Sequence, residues 1–494
     1  MSTPDFSKYV GGAREGLRNA GAYIGELNAP ALRLGVTGLS RAGKTVFIAA
    51  LVRHLVQGGR LPFFEPYAQR RIQRAYLEPQ PDDAVPRFDY EAHLAALQGD
   101  PPDWPQSTSR ISQLRVTIEF TPSGTLRKLA GKVLGQHKLH VDIVDYPGEW
   151  LLDLALLELS YAAWSAASIA ASRSPSRQRA AAPWLAHVNT LDPDAAADET
   201  IAREAAHVFT GYLLAARANN SIATLGPGRF LLPGELAGSP VLTFVPLLIP
   251  GGADPVRGSL AAMMERRFES YKRQVVRPFF LIQFGRLDRQ VVLVDALAAI
   301  DAGPLAVEDL TAALTGALSA FRPGANSWLS RMIAPRIDRI LFAATKADHL
   351  PRASHERLEA ALNLITKRAI ERARFAGATV DVLALAALRA TREAQARQNG
   401  ELLPCIAGIP LPGETFGGKT FDGLREAVVF PGDLPADPEA ALAEGRGQDV
   451  RIMRFRPPRM RSSGNLTGTP SETPEWPHIR FDRALDFLIG DKLA

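Results

Sequence analysis

Gly38, Gly43, Lys44 and Thr45 fall in the spacing G-x-x-x-x-G-K-[ST], between the strand-like run "LRLGVT" and the helix-like run "VFIAALVRHL". That context suits phosphate chemistry. Glycines let successive backbone N–H groups curl toward one anion, and a helix that starts there adds its positive end. Lys44 then supplies a charge for the β- and γ-phosphates, and the Thr45 hydroxyl an oxygen for Mg²⁺. An ordinary glycine-rich turn is the competing reading, and the flanking strand and helix argue against it. Lys44 is expected to be solvated until phosphate arrives, so that its removal costs little stability.

A second strand should bring a carboxylate to the metal side. In "LHVDIVDYPGEW" the apolar and polar residues alternate from Leu139 to Val144, and Asp145 ends the run, followed by Gly148 in a D-x-x-G pattern. Asp145 is expected to hold Mg²⁺ through a water and the Gly148 N–H to sense a γ-phosphate. D-Y-P-G also makes a good turn by itself. Glu149 stands where GTPases that use a D-x-x-G pattern often place a glutamine that orients water. A carboxylate beside the γ-phosphate is repelled by it, so slow hydrolysis is expected; Glu149 could instead pair with an arginine, leaving water positioning to another group. An arginine finger in the same chain is conceivable, and Arg110 and Arg115 are the nearest in sequence.

The base reader is expected after a later buried strand. "RILFAATKADHL" offers Thr345, Lys346 and Asp348 as T-K-x-D, a variant of N-K-x-D. An aspartate there accepts from guanine N1–H and the 2-amino group together, whereas adenine has neither donor on that edge. The motif therefore favours GTP over ATP. After "ATVDVLALAALRATRE", the turn near Ala387 and Leu388 is where a backbone N–H would meet guanine O6. The switch hydroxyl should precede a strand ahead of Asp145, and "DWPQSTSRISQLRVTIEF" provides Thr108, with Ser107 and Ser109 as rivals. Trp104 could form an aromatic wall beside the nucleotide or simply be core.

With these segments aligned, the chain resembles the YcjX-type stress-induced P-loop GTPases of Gram-negative bacteria. The resemblance rests on "GLSRAGKT", "WPQSTSRISQLR", "VDYPGEWLLDL", "VRPFFLIQFGRLDRQVVLVDAL", "FRPGANSW", "TKADHL" and "WPHIRFDRALDFLIGDKL", which span nearly the whole chain. It implies GTP and GDP binding with Mg²⁺ and GTP hydrolysis in the cytoplasm. It also implies nucleotide contacts at Ser40, Arg41, Ala42, Gly43, Lys44, Thr45 and Val46, at Trp104, Ser107 and Thr108, at Lys346, Asp348 and His349, and around Ala387 and Leu388. His349 could equally be a surface histidine. Neither the cellular task nor the protein effector follows from the resemblance.

The elements that must position these residues can be read from the spacing. Asp145 lies 101 residues after Lys44, and Thr345 lies 200 residues after Asp145. Connections in compact domains are about 4–6 residues, so both gaps must hold inserted structure. The expected fold is α/β: a P-loop GTPase core with a mostly parallel sheet, at 30–57, 106–150 and 286–398. A first insertion with the switch segment covers 58–105 and includes the helix "YEAHLAALQG". A mainly helical insertion covers 151–285, and 399–494 forms a strand and turn segment with a terminal helix. The apolar run from Trp150 to Ser172 reads as one buried or amphipathic helix, since Asp153 and Glu158 are unfavourable in a membrane span.

Composition narrows the function classes. The 494 residues are 46% hydrophobic, enough for a sizeable core, and 57 Lys and Arg against 52 Asp and Glu leave +5, too little to argue for nucleic acid. One cysteine, Cys405, excludes an intrachain disulfide and a cysteine metal cluster. The first thirty residues contain no apolar h-region, so no secretory signal is expected; they read as a short amphipathic arm. The nine histidines show no zinc spacing. The run Arg451 to Arg461, "RIMRFRPPRMR", could meet membrane phosphates or an acidic partner, but a solvated strand face and turn is the favoured reading. A regulatory GTPase is thus the first reading. An ATPase or small-molecule kinase, and a scaffold whose nucleotide site does not turn over, are the alternatives.

Overall fold

The computed structural model describes residues 30–39, 41–106, 110–123, 137–218, 222, 224–249, 254–317, 337–398, 400–443, 450–460, 462–464, 470–474 and 476–494. Ser40, Ser107, Thr108, Ser109, the amino-terminal arm and "FRPGANSW" lie outside the described residues. A seven-stranded sheet organises the rest, from β1 (Ala31–Gly38), β2 (Ile72–Glu78), β3 (Ser112–Phe120), β4 (His137–Asp145), β5 (Arg289–Val294), β6 (Arg339–Ala344) and β7 (Thr379–Ala384). Their order is β2-β3-β4-β1-β5-β6-β7. Strands β4, β1, β5, β6 and β7 run parallel, β3 lies antiparallel beside β4, and β2 lies antiparallel beside β3.

Side chains alternate across a strand, so one sheet can face two cores. Val291 and Leu293 of β5 and Leu341 and Ala343 of β6 enter one core, while Val292 and Val294, with Ile340, Phe342 and Ala344, enter the other. The first core includes helix α1 (Lys44–Gln57), helix α2 (Tyr90–Gln98) and the terminal helix, with Phe47 meeting Phe481 edge to face at 5.1 Å. The second joins the sheet to helices α3 (Tyr161–Ser172), α4 (Gln178–Val188), α5 (Glu199–Ala218) and α6 (Leu260–Tyr271), then α7 (Pro304–Ala317) and α8 (His355–Phe375). Among α3 to α6 the aromatic rings cluster, and Trp164 stacks on Phe268 at 5.1 Å.

The stretch from Trp150 to Ser172 departs from the single helix expected. A helix at Glu149–Leu152 tightens into a 3₁₀ segment at Asp153–Glu158, and α3 then starts afresh. Two hydrogen-bond demands explain the break. Asp153 accepts from Gly228 N at 2.7 Å and from Tyr271 Oη at 2.5 Å, which fixes the first turn. Ser160 then caps α3 by accepting from Ala163 N.

Beyond β7 the chain forms strands β8 (Arg392–Gln398) and β9 (Glu401–Gly408), joined by Ala427–Val429 in a small antiparallel sheet. It returns to the main sheet through helix α9 (Phe481–Ile489), preceded by an antiparallel bridge between Ile479 and Ala386. No helix among the described residues is long and apolar enough to cross a membrane.

Candidate functional site

The parallel strands finish on neighbouring rungs: Val36 of β1 pairs with Asp145, Gly38 with Leu293, Val294 with Ala344, and Ala344 with Ala384. Everything that follows those strands therefore gathers at one carboxyl edge, where open α/β sheets place ligands. A cavity of about 430 Å³ opens there. Arg41 through Val46 line it, with Trp104, Glu149, Lys346, Asp348, His349, Ala387 and Leu388. Asp145 and Gly148 stand behind that lining.

Different constraints demand the two loop glycines. Gly43 has φ of 82° at the N-cap of α1, a left-handed conformation with ample room for a Cβ but strain for other residues. Gly38 is crowded instead, since a Cβ would lie 2.8 Å from Leu293 O and 3.0 Å from the Ala42 Cβ. Gly148 is crowded too. A Cβ there would overlap the Gly38 carbonyl, so the D-x-x-G turn lies directly against the start of the phosphate-type loop.

Lys44 is not the solvated side chain expected. Its Nζ lies 3.3 Å from Asp145 Oδ1, with Lys44 12% exposed and Asp145 1% exposed. The reason is register: β4 carries Asp145 to the rung beside β1 and hence beside the first turn of α1. Thr45, also buried, adds a hydroxyl at this end. Thr45 and Asp145 are oxygen donors of the kind a hard divalent cation takes. Among the described residues no group of three or more His, Cys, Asp or Glu is suited to hold a metal, so such a cation would need further oxygens from a ligand and water.

Asp348 lies toward the other end. Its Oδ2 accepts from Ala390 N at 2.7 Å and Thr391 N at 3.3 Å, while Oδ1 has no partner among the described residues. The turn after β7 thus orients the carboxylate. Lys346 adopts φ of 60° and its Nζ pairs with Asp295, the residue that follows β5. Thr345 N donates to Val294 O at 3.0 Å, with a longer hydroxyl contact of 3.4 Å to the same oxygen. His349 is buried, not the surface histidine that was the alternative. Burial holds its imidazole below the ordinary range and hence neutral, and its ring meets Phe455 edge to face at 5.4 Å. Trp104 donates from Nε1 to Phe455 O at 2.6 Å while lining the cavity.

Arg115 forms a buried bidentate pair with Asp142 at 2.6 and 2.9 Å, which ties it to the sheet. Arg110 does not line the cavity. Glu149 is paired instead with Arg217 of α5, Nη2 to Oε1 at 2.9 Å. Sequence reasoning missed Arg217, Asp295, Leu411, Arg454 and Phe455. Arg217 sits in an alanine-rich helix with no local signal. Arg454 and Phe455 belong to the run read as a solvated strand face, but Phe455 faces inward and Arg454 pairs with Glu414 at 2.7 Å.

Comparison with known proteins adds the relatives. Residues 32–493 match the family model described as YcjX-like family, DUF463. A protein named Ras-like GTPase YcjX from Escherichia coli K12 is 37% identical over 472 residues, covering 94% of this chain and 96% of that protein. A protein of the same name from Shewanella oneidensis MR-1 is 36% identical over 484 residues, covering 94% of each.

Proposed function

The chain belongs to the YcjX-like family, and on that premise we propose that it binds GTP and GDP with Mg²⁺ and hydrolyses GTP slowly. The observation that carries this reading is one cavity with Lys44 and Thr45 near one end and an oriented Asp348 near the other. The name Ras-like GTPase borne by the relatives agrees with it. Lys44 and the loop N–H groups of 40–46 hold the β- and γ-phosphates. Thr45, and Asp145 through water, hold Mg²⁺, joined by Thr108 in the triphosphate state. The cation neutralises phosphate charge.

At the other end Asp348 Oδ1 accepts from the guanine edge, Lys346 and His349 pack beside the base, and a backbone N–H near Ala387 or Leu388 meets O6. Trp104 and Ser107 contact the nucleotide. In hydrolysis the water oxygen bonds to the γ-phosphorus as the bond to the β–γ bridging oxygen breaks. The electron pair stays on GDP and the water proton ends on the released phosphate. We assign the core to 30–57, 106–150 and 286–398, with the segments at 58–105, 151–285 and 399–494 as its attachments. The setting we infer is a cytoplasmic, stress-related switch acting on a protein effector. Peripheral membrane attachment through Arg451–Arg461 is disfavoured by the inward Phe455 and the paired Arg454.

Calorimetry of the wild type and Asp348→Asn with GTP, XTP and ATP tests the reading. An asparagine amide keeps an oxygen for Ala390 N but turns a donor toward guanine's own donors, a loss of about 1–3 kcal/mol per unpaired group. Xanthine, with a carbonyl in place of the 2-amino group, restores the match. The wild type should prefer GTP to ATP by about 10⁴-fold, and the variant should move toward XTP. Equal GTP and ATP affinity in the wild type would sink the assignment.

A further inference from the structure

We propose that Arg217 is a built-in arginine finger, parked on Glu149 and turning to the γ-phosphate of GTP as the bond to the leaving oxygen breaks. The proposal rests on the GTPase reading above. Arg217 lines the cavity with Lys44 and Glu149. Glu149 directly follows Gly148, which packs on the Gly38 carbonyl, so the pair stands at the phosphate end. Only Nη2 of the guanidinium is engaged, on Glu149 Oε1 at 2.9 Å, while Nε and Nη1 donate to nothing among the described residues. The side chain is 27% exposed, so it retains room to move.

The surroundings make this an adjustable contact on a firm base. A Cβ on Gly228 would overlap the Glu149 carbonyl, and Asp153 accepts from both Gly228 N and Tyr271 Oη. The backbone of 149–153 is therefore seated in the helical insertion that also carries Arg217. A guanidinium has a planar fork of donors suited to phosphate oxygens, and an arriving γ-phosphate competes with the single carboxylate for it. Charge that gathers on the γ-phosphoryl and bridging oxygens as water attacks is what such an arginine stabilises. Glu149 is then the resting partner that Arg217 gives up when the γ-phosphate takes it.

The test uses the full chain with Mg²⁺, comparing wild type, Arg217→Ala, Arg217→Lys and Glu149→Gln. Readouts are single-turnover GTP hydrolysis, affinity for a fluorescent GDP, and formation of the GDP–fluoroaluminate complex. Arg217→Ala should slow hydrolysis by about 10³-fold or more and lose the fluoroaluminate complex. Its GDP affinity should stay within about twofold, because the lost contact forms with the transition state. Arg217→Lys should remain slow, since it keeps the charge without the fork. Glu149→Gln leaves Arg217 untouched and should form the fluoroaluminate complex at lower fluoride than the wild type. The proposal is overturned if Arg217→Ala hydrolyses within about tenfold of wild type and still forms the complex. It is also overturned if rate and GDP affinity fall together, the mark of a structural ion pair. A wild type that binds no GDP overturns the GTPase reading and this proposal with it, whereas normal GDP binding confines the failure to Arg217.

Discussion

Lys44 joins two tasks that pull in different directions. In a phosphate-binding loop its charge contributes about 1.5–3 kcal/mol or more to a charge-assisted contact, so Lys44→Ala should lose most nucleotide affinity. Here the same ammonium also sits 3.3 Å from the buried Asp145. Removing it withdraws that carboxylate's lysine partner, and the cost to the fold should be about 1–3 kcal/mol. Urea unfolding of Lys44→Ala, Asp145→Asn and the double variant, all without nucleotide, checks this. The double variant should be more stable than Lys44→Ala alone. Strictly additive losses would mean that the two groups do not interact. The motif made both residues legible, because each role needs only a residue type at a fixed distance from a strand. Their mutual contact was not legible, since it depends on the register of β4 against β1.

At the scale of elements, the terminal helix α9 rests on α1 through a group of rings that includes His54, His478 and Phe481. Burial first, then neighbouring His478 and Arg53, push the His54 imidazole from 6.5 down to about 3. A folded value below the unfolded one means that the neutral form is kept on folding. The stability is complete above pH 6.5 and lost as the pH falls from 6.5 toward 3, by about 1.4 kcal/mol per pH unit. Urea unfolding from pH 7 to pH 4.5 should therefore show a falling midpoint, and His54→Gln should flatten it. His93, His349 and His355, also lowered by burial, add slope of the same sign, while Asp153, raised by burial from 3.8 to about 6, opposes it below pH 6. Identical slopes in wild type and variant would remove His54 from the account. Strands β1, β3, β4 and β6 and helix α1 were readable from periodicity and the motifs they flank, whereas β2, inside the stretch 58–105 read as an insertion, was not. The break between Trp150 and Ser172 was not, because partners as distant in sequence as Gly228 and Tyr271 impose it.

At the scale of the molecule, the cavity's walls come from parts far apart in sequence. Trp104 is tied to Phe455 across 351 residues, Glu149 to Arg217 across 68, and the Trp476 indole donates to Ala387 O across 89. Local motifs could reveal the floor of this site, but only chain folding could reveal walls of that kind. The arrangement has a consequence for nucleotide binding. A ligand that binds only the folded form stabilises it by about 2.7 kcal/mol at 100 times its dissociation constant. Because the walls touch one another, that gain should be shared by every part that lines the cavity. Hydrogen exchange with and without Mg²⁺-GDP should show new protection in α1, at the carboxyl end of α5 near Arg217, and in 453–456 and 476–479. Trp104→Phe removes the indole donor to Phe455 O and should reduce the protection at 453–456 while leaving that of α1. Protection confined to 38–57 would mean that the insertion and the carboxyl-terminal segment only cover the core and do not respond to what it binds.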